Sequence, residues 1–254
     1  MATEEMIFFL ETCIRYGISM VIAGRTSSGK TTLLNALLGS IPNDKRIYSI
    51  ESGARELFLV KRNAYGEVLN NVVHTLSRPS ENAAYNITQE NLVVAALRFD
   101  PDLIAVGEIR DEEANAAVEA SLTGHTVVTT VHSGPAEAAH GRIALLCQRR
   151  FQLGMAVSLS QARQAFPVVV FAHRCEDNSR RVMDISEVSV TAEGDTEYRC
   201  LYRYCITENV CEDGRIKVSG YFEKVNPPSE YLKTLLTRSG VPQAILDQFQ
   251  ERRN

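Results

Sequence analysis

The chain has 254 residues, 44% of them apolar and 23% charged, which suits one large or two modest domains with a sizeable core. That balance excludes a disordered, collagen-like or disulfide-scaffold polypeptide. Twenty-seven basic against 31 acidic residues leave a formal charge of −4, which speaks against direct nucleic-acid binding but leaves room for a local basic groove. No apolar run approaches the roughly 20 residues of a membrane span, and the start, Met1-Ala2-Thr3-Glu4-Glu5-Met6, lacks the basic and apolar regions of a signal peptide. The six cysteines (Cys13, Cys147, Cys175, Cys200, Cys205 and Cys211) form no C-x-x-C pair and read as reduced thiols. The close spacing of the last three leaves a small metal or redox site as the alternative.

From residue 3 to 165, strand-like apolar runs alternate with helical stretches, the signature of a mostly parallel sheet covered by helices. Residues 18–23 (ISMVIA) read as a buried strand and 30–38 (KTTLLNALL) as a helix with Leu33, Leu34, Leu37 and Leu38 on one face. A short strand is predicted at 46–50, then a strand pair at 56–61 and 71–76 joined across Tyr65-Gly66. A helix at 89–97 stops ahead of Pro101. A strand at 103–106, a helix at 112–122, a strand at 126–131 and a helix at 135–147 follow.

Past Phe166 the composition shifts. A strand is predicted at 168–172, then β-branched and aromatic runs at 181–190, 196–206 and 216–221, separated by Asp177-Asn178-Ser179, Glu193-Gly194-Asp195 and Asp213-Gly214. This pattern predicts an antiparallel meander, either a partner-binding surface or the completion of the sheet. Pro227-Pro228 breaks the chain ahead of two short helices, 231–238 and 242–250. The expected division is a core at 1–166 and a β-rich extension with terminal helices at 167–254.

Gly24-Arg25-Thr26-Ser27-Ser28-Gly29-Lys30-Thr31 matches G-x-x-x-x-G-K-[ST] in full, between a strand and a helix. Gly24 and Gly29 let successive N–H groups wrap a phosphate chain, and the following helix aims its positive end at it. Lys30 can reach the β- and γ-phosphates, and the Thr31 hydroxyl can ligate Mg²⁺. The motif alone leaves ATPases, GTPases and small-molecule kinases open. The absence of N-K-x-D argues against a GTPase.

Leu103-Ile104-Ala105-Val106-Gly107-Glu108 ends a buried strand in a carboxylate, as a Walker B element requires. Glu108 can hold Mg²⁺ through water or orient the attacking water. Asp111, Glu112 and Glu113 favour the next helix N-terminus and carry no chemistry in this reading. Glu51 ends another strand, and His125 and His132 flank the strand 126–131.

Taken together, these pieces resemble the bacterial and archaeal secretion ATPase superfamily, the motors of type II and type IV secretion and of pilus assembly. The CpaF-like branch, which drives tight-adherence pili, is the nearest pattern. Residues 24–32 (GRTSSGKTT) resemble its Walker A, 46–57 (RIYSIESGAREL) its Asp box, 96–111 (ALRFDPDLIAVGEIRD) its Walker B and 123–133 (TGHTVVTTVHS) its His box. The similarity continues to Gly220-Tyr221-Phe222 and Pro227.

The resemblance implies a P-loop NTPase, RecA-like α/β core followed by the antiparallel meander, with ATP and Mg²⁺ as cofactors. It implies a nucleotide cradle of Gly24, Thr26, Ser27, Ser28, Gly29, Lys30, Thr31 and Thr32. Thr31 and Glu108 would serve the metal. Glu51 matches the glutamate that activates water, Glu108 the Walker B glutamate and His132 the sensor of the γ-phosphate. Arg78, Arg98 and Arg110 fall where relatives carry arginines, and Arg78 and Arg110 are the candidates for phosphate contact or signalling between subunits.

It further implies a homo-oligomeric ring, a hexamer, at the cytoplasmic face of the inner membrane, pushing on a membrane platform protein. Two alternatives stand beside this: a nucleotide-binding assembly module without turnover of its own, and a conjugation motor. Several residues depart from the pattern: Ser27 for a glycine, Ser52 for an aspartate, and Phe99-Asp100 for Met-Arg. Relatives place a domain ahead of the motor core. Here the phosphate loop opens at Gly24, so the expectation is an isolated motor domain or a compact form.

Overall fold

Thr3 starts the first element: its side chain accepts the Met6 N–H at 3.2 Å, while Glu4 and Glu5 fill the first turn and Arg15 the last. Both ends of this helix therefore suit its dipole. In the computed structural model, which describes residues 1–150, 154–190, 196–212 and 215–250, the elements run in order. They are α1 (Glu4–Arg15), β1 (Met20–Ala23), α2 (Lys30–Gly39), β2 (Arg46–Glu51), β3 (Asn71–Leu76), α3 (Gln89–Ala96), β4 (Leu103–Ile109), α4 (Glu113–Leu122) and β5 (Thr126–Val131). Then come α5 (Ala136–Cys147), α6 (Met155–Ala165), β6 (Val168–Arg174), β7 (Arg180–Val190), β8 (Thr196–Glu212), β9 (Arg215–Lys224), α7 (Glu230–Arg238) and α8 (Gln243–Gln250). The turn-formers Glu193-Gly194-Asp195 and Asp213-Gly214 lie outside the described residues.

One nine-stranded sheet, in the order β3-β2-β4-β5-β1-β6-β7-β8-β9, organises the chain. Neighbours from β3 to β6 pair in parallel, and β6 to β9 form the antiparallel meander. β6 lies beyond the expected boundary at 166/167 yet pairs in parallel with β1, so the sheet crosses that boundary without a break. Side chains alternate across the sheet. Met20 and Ile22 of β1 join α1, α2, α7 and α8 in one core, while Val21 and Ala23 join α3 to α6 in the other. Burial on both faces explains the apolar strand β1 and the valine and threonine strand β5, every residue of which is buried.

The pattern of the sequence does not single out α1 and α6. Phe9 of α1 packs against Tyr202 and Phe249, with centroids 5.7 and 5.3 Å away, and Lys224 Nζ meets Glu5 Oε1 at 2.7 Å. The helix thus binds the meander to the core.

The predicted strand pair at 56–61 and 71–76 is not formed. β3 pairs in parallel with β2, from Arg46↔Asn71 to Glu51↔Leu76, and 56–61 joins no sheet. Leu57 and Leu59 are buried and Phe58 exposed, which imitates a strand's alternation. The N–H groups go elsewhere. Those of Glu56 and Leu57 bond the Glu51 carboxylate at 2.7 and 2.9 Å, that of Phe58 bonds Asn35 Oδ1 at 3.0 Å, and that of Lys61 bonds Asn70 Oδ1 at 2.8 Å. Side-chain acceptors replace the ladder. The predicted strand at 103–106 extends to Ile109, with a register shift against β5 after Val106, so Glu108 lies inside β4.

Candidate functional site

β1 ends at the point where the sheet order turns, between β5 and β6, and the glycine-rich loop follows it. Open α/β sheets bind ligands at such positions. Gly24 allows the close approach: a Cβ there would lie 2.3 Å from the Ala172 carbonyl oxygen of β6 and 2.5 Å from Ser28 Oγ. Gly29, the N-cap of α2, has a left-handed backbone at φ 93°. α2 has no side-chain cap and no acid in its first turn, so its leading N–H groups stay open to an anion.

Lys30, only 7% exposed, donates from Nζ to the Arg25 carbonyl at 3.1 Å. Burial lowers its pKa, with Arg110 acting the same way and Glu108 opposing both. Ser28 Oγ is buried and has no hydrogen-bond partner, a donor left inside the loop. Ser27 adopts a left-handed φ of 61°.

Thr31, Glu51, Glu108 and Arg110 line one tight cleft beside the loop. α2, β2 and β4, and α3 through Gln89, converge there. Arg110 donates from Nη2 to Glu108 Oε2, and His132 Nε2 lies 2.8 Å from Glu108 Oε1. The hydrogen bond to Glu108 raises the Arg110 pKa. Burial and then the nearby Lys30 lower the His132 pKa, against the pull of Glu108. Glu51 is 4% exposed. Its Oε1 carries the two loop N–H groups described above, and Oε2 accepts a long bond of 3.4 Å from Ser49 Oγ.

A larger open cleft, about 1050 Å³, adjoins the loop on the side of Arg25, Thr26, His132 and Phe171. Thr32 is exposed and lines neither cleft. Arg78 also stands apart: its Nε and Nη2 donate to the Tyr85 carbonyl, both at 3.3 Å, and it lines neither cleft.

The structure adds two residues that sequence reasoning passed over. Glu113, 6% exposed, accepts the N–H groups of Arg110 and Asp111 at 2.5 and 3.0 Å, fixing the turn that carries Arg110. The signal was an acid three residues after Arg110, read only as a dipole partner. Arg180 donates from Nε to the Ser27 carbonyl at 3.3 Å. No local signal marks it, since the contact spans 153 residues.

The family model described as "Type II/IV secretion system protein" matches residues 1–220. The chain belongs to that family. The type IV secretion system protein PtlH of Bordetella pertussis is 34% identical over 184 residues, 70% of this chain and 52% of that protein. VirB11 of Bartonella henselae is 34% identical over 146 residues, 57% of this chain and 38% of that protein. The crystal structure of the Brucella suis VirB11 ATPase, in complex with sulphate, superposes with a TM-score of 0.61 at 28% identity, over 72% of this chain and 53% of that one. This family member is thus a secretion ATPase homologue with a P-loop fold, and it spans about half the length of the curated PtlH it matches. Among the described residues no helix is long and apolar enough to cross a membrane.

Proposed function

We propose that the chain is the ATP-hydrolysing core of a secretion or pilus motor, working as a ring oligomer. The observation that carries this reading is the single cleft shared by Thr31, Glu51, Glu108 and Arg110 at the mouth of the phosphate loop, with His132 against Glu108. The loop N–H groups, Ser28 and Lys30 would take the phosphates. The orphaned Ser28 hydroxyl and the uncapped α2 fit such an anion.

The residues also fit Mg²⁺. Thr31 and Glu108 would hold it directly or through water, and when bound it would neutralise charge on the phosphates. Among the described residues no three His, Cys, Asp or Glu side chains could hold a metal alone, so phosphate oxygens would complete the shell. Glu51 would take the proton of the attacking water, through the carboxylate oxygen that the loop leaves free. Arg110, once released from Glu108, would stabilise the developing phosphoryl charge. Arg78 would act across a subunit boundary, in keeping with its distance from both clefts. Assembly as a hexamer at the cytoplasmic face of the membrane, pushing a platform protein, completes the reading.

ATP turnover measured against protein concentration, with light scattering on the same samples, tests it. A rate per subunit that rises with assembly and collapses in Glu108→Gln is expected. Nucleotide binding without turnover at any concentration would instead favour an assembly module that needs a further domain.

A further inference from the structure

Arg180 reaches the phosphate loop from the meander. Its Nε donates to the Ser27 carbonyl at 3.3 Å and its Nη1 to the Asn178 carbonyl at 3.4 Å. Both are long bonds to neutral oxygens, and among the described residues no carboxylate pairs with it. Its root sits at the start of α2: a Cβ on Gly29 would lie 3.7 Å from Arg180 Cβ. A cation at a helix N-terminus is disfavoured by the dipole unless an anion joins them. Here Lys30, the uncapped N–H groups and Arg180 gather at one end of one helix, while Glu108, the acid of the adjoining cleft, accepts from Arg110.

The hairpin that carries Arg180 is well tied. Asp177 Oδ1 accepts the Ser179 N–H and hydroxyl at 2.9 and 2.6 Å, and Asp177 Oδ2 accepts the Val218 N–H of β9 at 3.2 Å. The Cys175 N–H bonds the Ser179 carbonyl at 2.8 Å, and the Ala172 carbonyl lies under Gly24. Ser27, whose carbonyl Arg180 holds, is the loop's non-glycine residue in the left-handed region, a conformation that its surroundings must enforce.

We propose that Arg180 is a phosphate clamp supplied by the meander: it fixes the loop through Ser27 and adds a second positive charge, beside Lys30, to the site for a nucleoside di- or triphosphate. This rests on the reading of the loop as a nucleotide site. It gives the β7 end of the meander a direct role at that site.

The test is calorimetric titration of the full chain with ATP, ADP and AMP at fixed Mg²⁺ and ionic strength. Arg180→Gln, Arg180→Lys, Arg181→Gln and Lys30→Ala are compared with the parent. Arg181 is the neighbouring control, with its guanidinium 5.6 Å from the Tyr204 ring centroid. Arg180→Gln should weaken ATP and ADP about tenfold, as for loss of a charge-assisted contact, and leave AMP within about twofold. Arg180→Lys should recover part of the loss, and Arg181→Gln should match the parent.

Arg180 is exposed, so its two variants should share the parent's unfolding midpoint. If the glutamine variant falls short of that, the lysine variant decides: ATP weakened with AMP unchanged supports the clamp, and unchanged ATP binding overturns it. Parent-like ATP binding by Arg180→Gln overturns the clamp alone, as does an equal loss in Arg181→Gln or an equal loss for AMP. A parent that binds no ATP, or Lys30→Ala binding as tightly as the parent, overturns the nucleotide reading and the clamp with it.

Discussion

His140 offers a stability prediction whose size follows from the structure. It is fully buried on α5, with Nε2 2.9 Å from the Phe166 carbonyl and Nδ1 3.1 Å from the Tyr198 hydroxyl. A carbonyl can only accept, so Nε2 carries the proton and Nδ1 accepts from Tyr198. Tyr198 in turn accepts from Arg163 Nε at 3.0 Å. A second ring proton, on Nδ1, would meet the Tyr198 O–H and require that hydroxyl to turn its hydrogen away. Burial, with help from Arg163 and against the Phe166 bond, pushes the His140 pKa down to about 4.

Unfolding returns it toward 6.5. The unfolded chain therefore binds the proton first, and stability is full above pH 6.5 and lost as pH falls toward 4. At 1.36 kcal/mol per pH unit the loss comes to about 3 kcal/mol. Asp184 and Glu187 run the other way. Burial raises both to about 6, so they add stability as pH falls through about 6 to 4. Subtraction removes them: His140→Gln keeps an N–H for Phe166 and an acceptor for Tyr198 but no longer titrates. Urea unfolding at pH 7, 6, 5 and 4 should show the parent losing about 3 kcal/mol relative to the variant, between pH 6.5 and 4. A difference that stays flat across that range refutes the argument.

Three further outcomes are expected. Gly24→Ala should cost about 1–3 kcal/mol in thermal unfolding, because its Cβ would meet the Ala172 carbonyl oxygen at 2.3 Å, and calorimetry should show weakened ATP binding. Glu113→Ala strands the Arg110 and Asp111 N–H groups and should cost about 1–3 kcal/mol in urea unfolding; turnover should fall with it as Arg110 loses its aim. His132 is the γ-phosphate sensor that the resemblance implies, and burial followed by Lys30 holds its pKa below the ordinary histidine value; initial rates should therefore hold level from pH 8 to 7, and a decline across that interval would count against that role.

The phosphate loop was legible because its geometry is local: two glycines, a lysine and a threonine at fixed spacing between a strand and a helix specify the turn. The parallel core was legible because burial on both faces leaves apolar strands. Contacts made across the fold were not. The 56–61 segment has the apolar alternation of a strand, but its N–H groups are claimed by Glu51, Asn35 and Asn70, and Asn35 lies 23 residues away from Phe58. Arg78 falls where the resemblance places an arginine, yet its side chain closes its own loop on Tyr85. Arg180 sits far from every motif, yet folding brings it to Ser27. A position in a sequence pattern predicts little about where a long side chain reaches in the fold.

Glu51 shows how one carboxylate can hold two tasks, and how to separate them. Its Oε1 accepts the Glu56 and Leu57 N–H groups, which otherwise would be lost to a segment whose Leu57 and Leu59 are buried. Its Oε2 accepts only the 3.4 Å bond from Ser49, which leaves it for a water. Glu51→Ala removes both oxygens and strands two donors, at about 1–3 kcal/mol for each buried one. Glu51→Gln keeps an amide oxygen as acceptor for the loop but supplies no base. Urea unfolding should therefore separate the variants, with the alanine clearly destabilised and the glutamine within about 1 kcal/mol of the parent. ATP turnover should not separate them, since both lack the base and both should fall about a hundredfold or more. A glutamine variant with parent-like turnover would make Glu51 an anchor of the 52–57 loop alone and move water activation to Glu108.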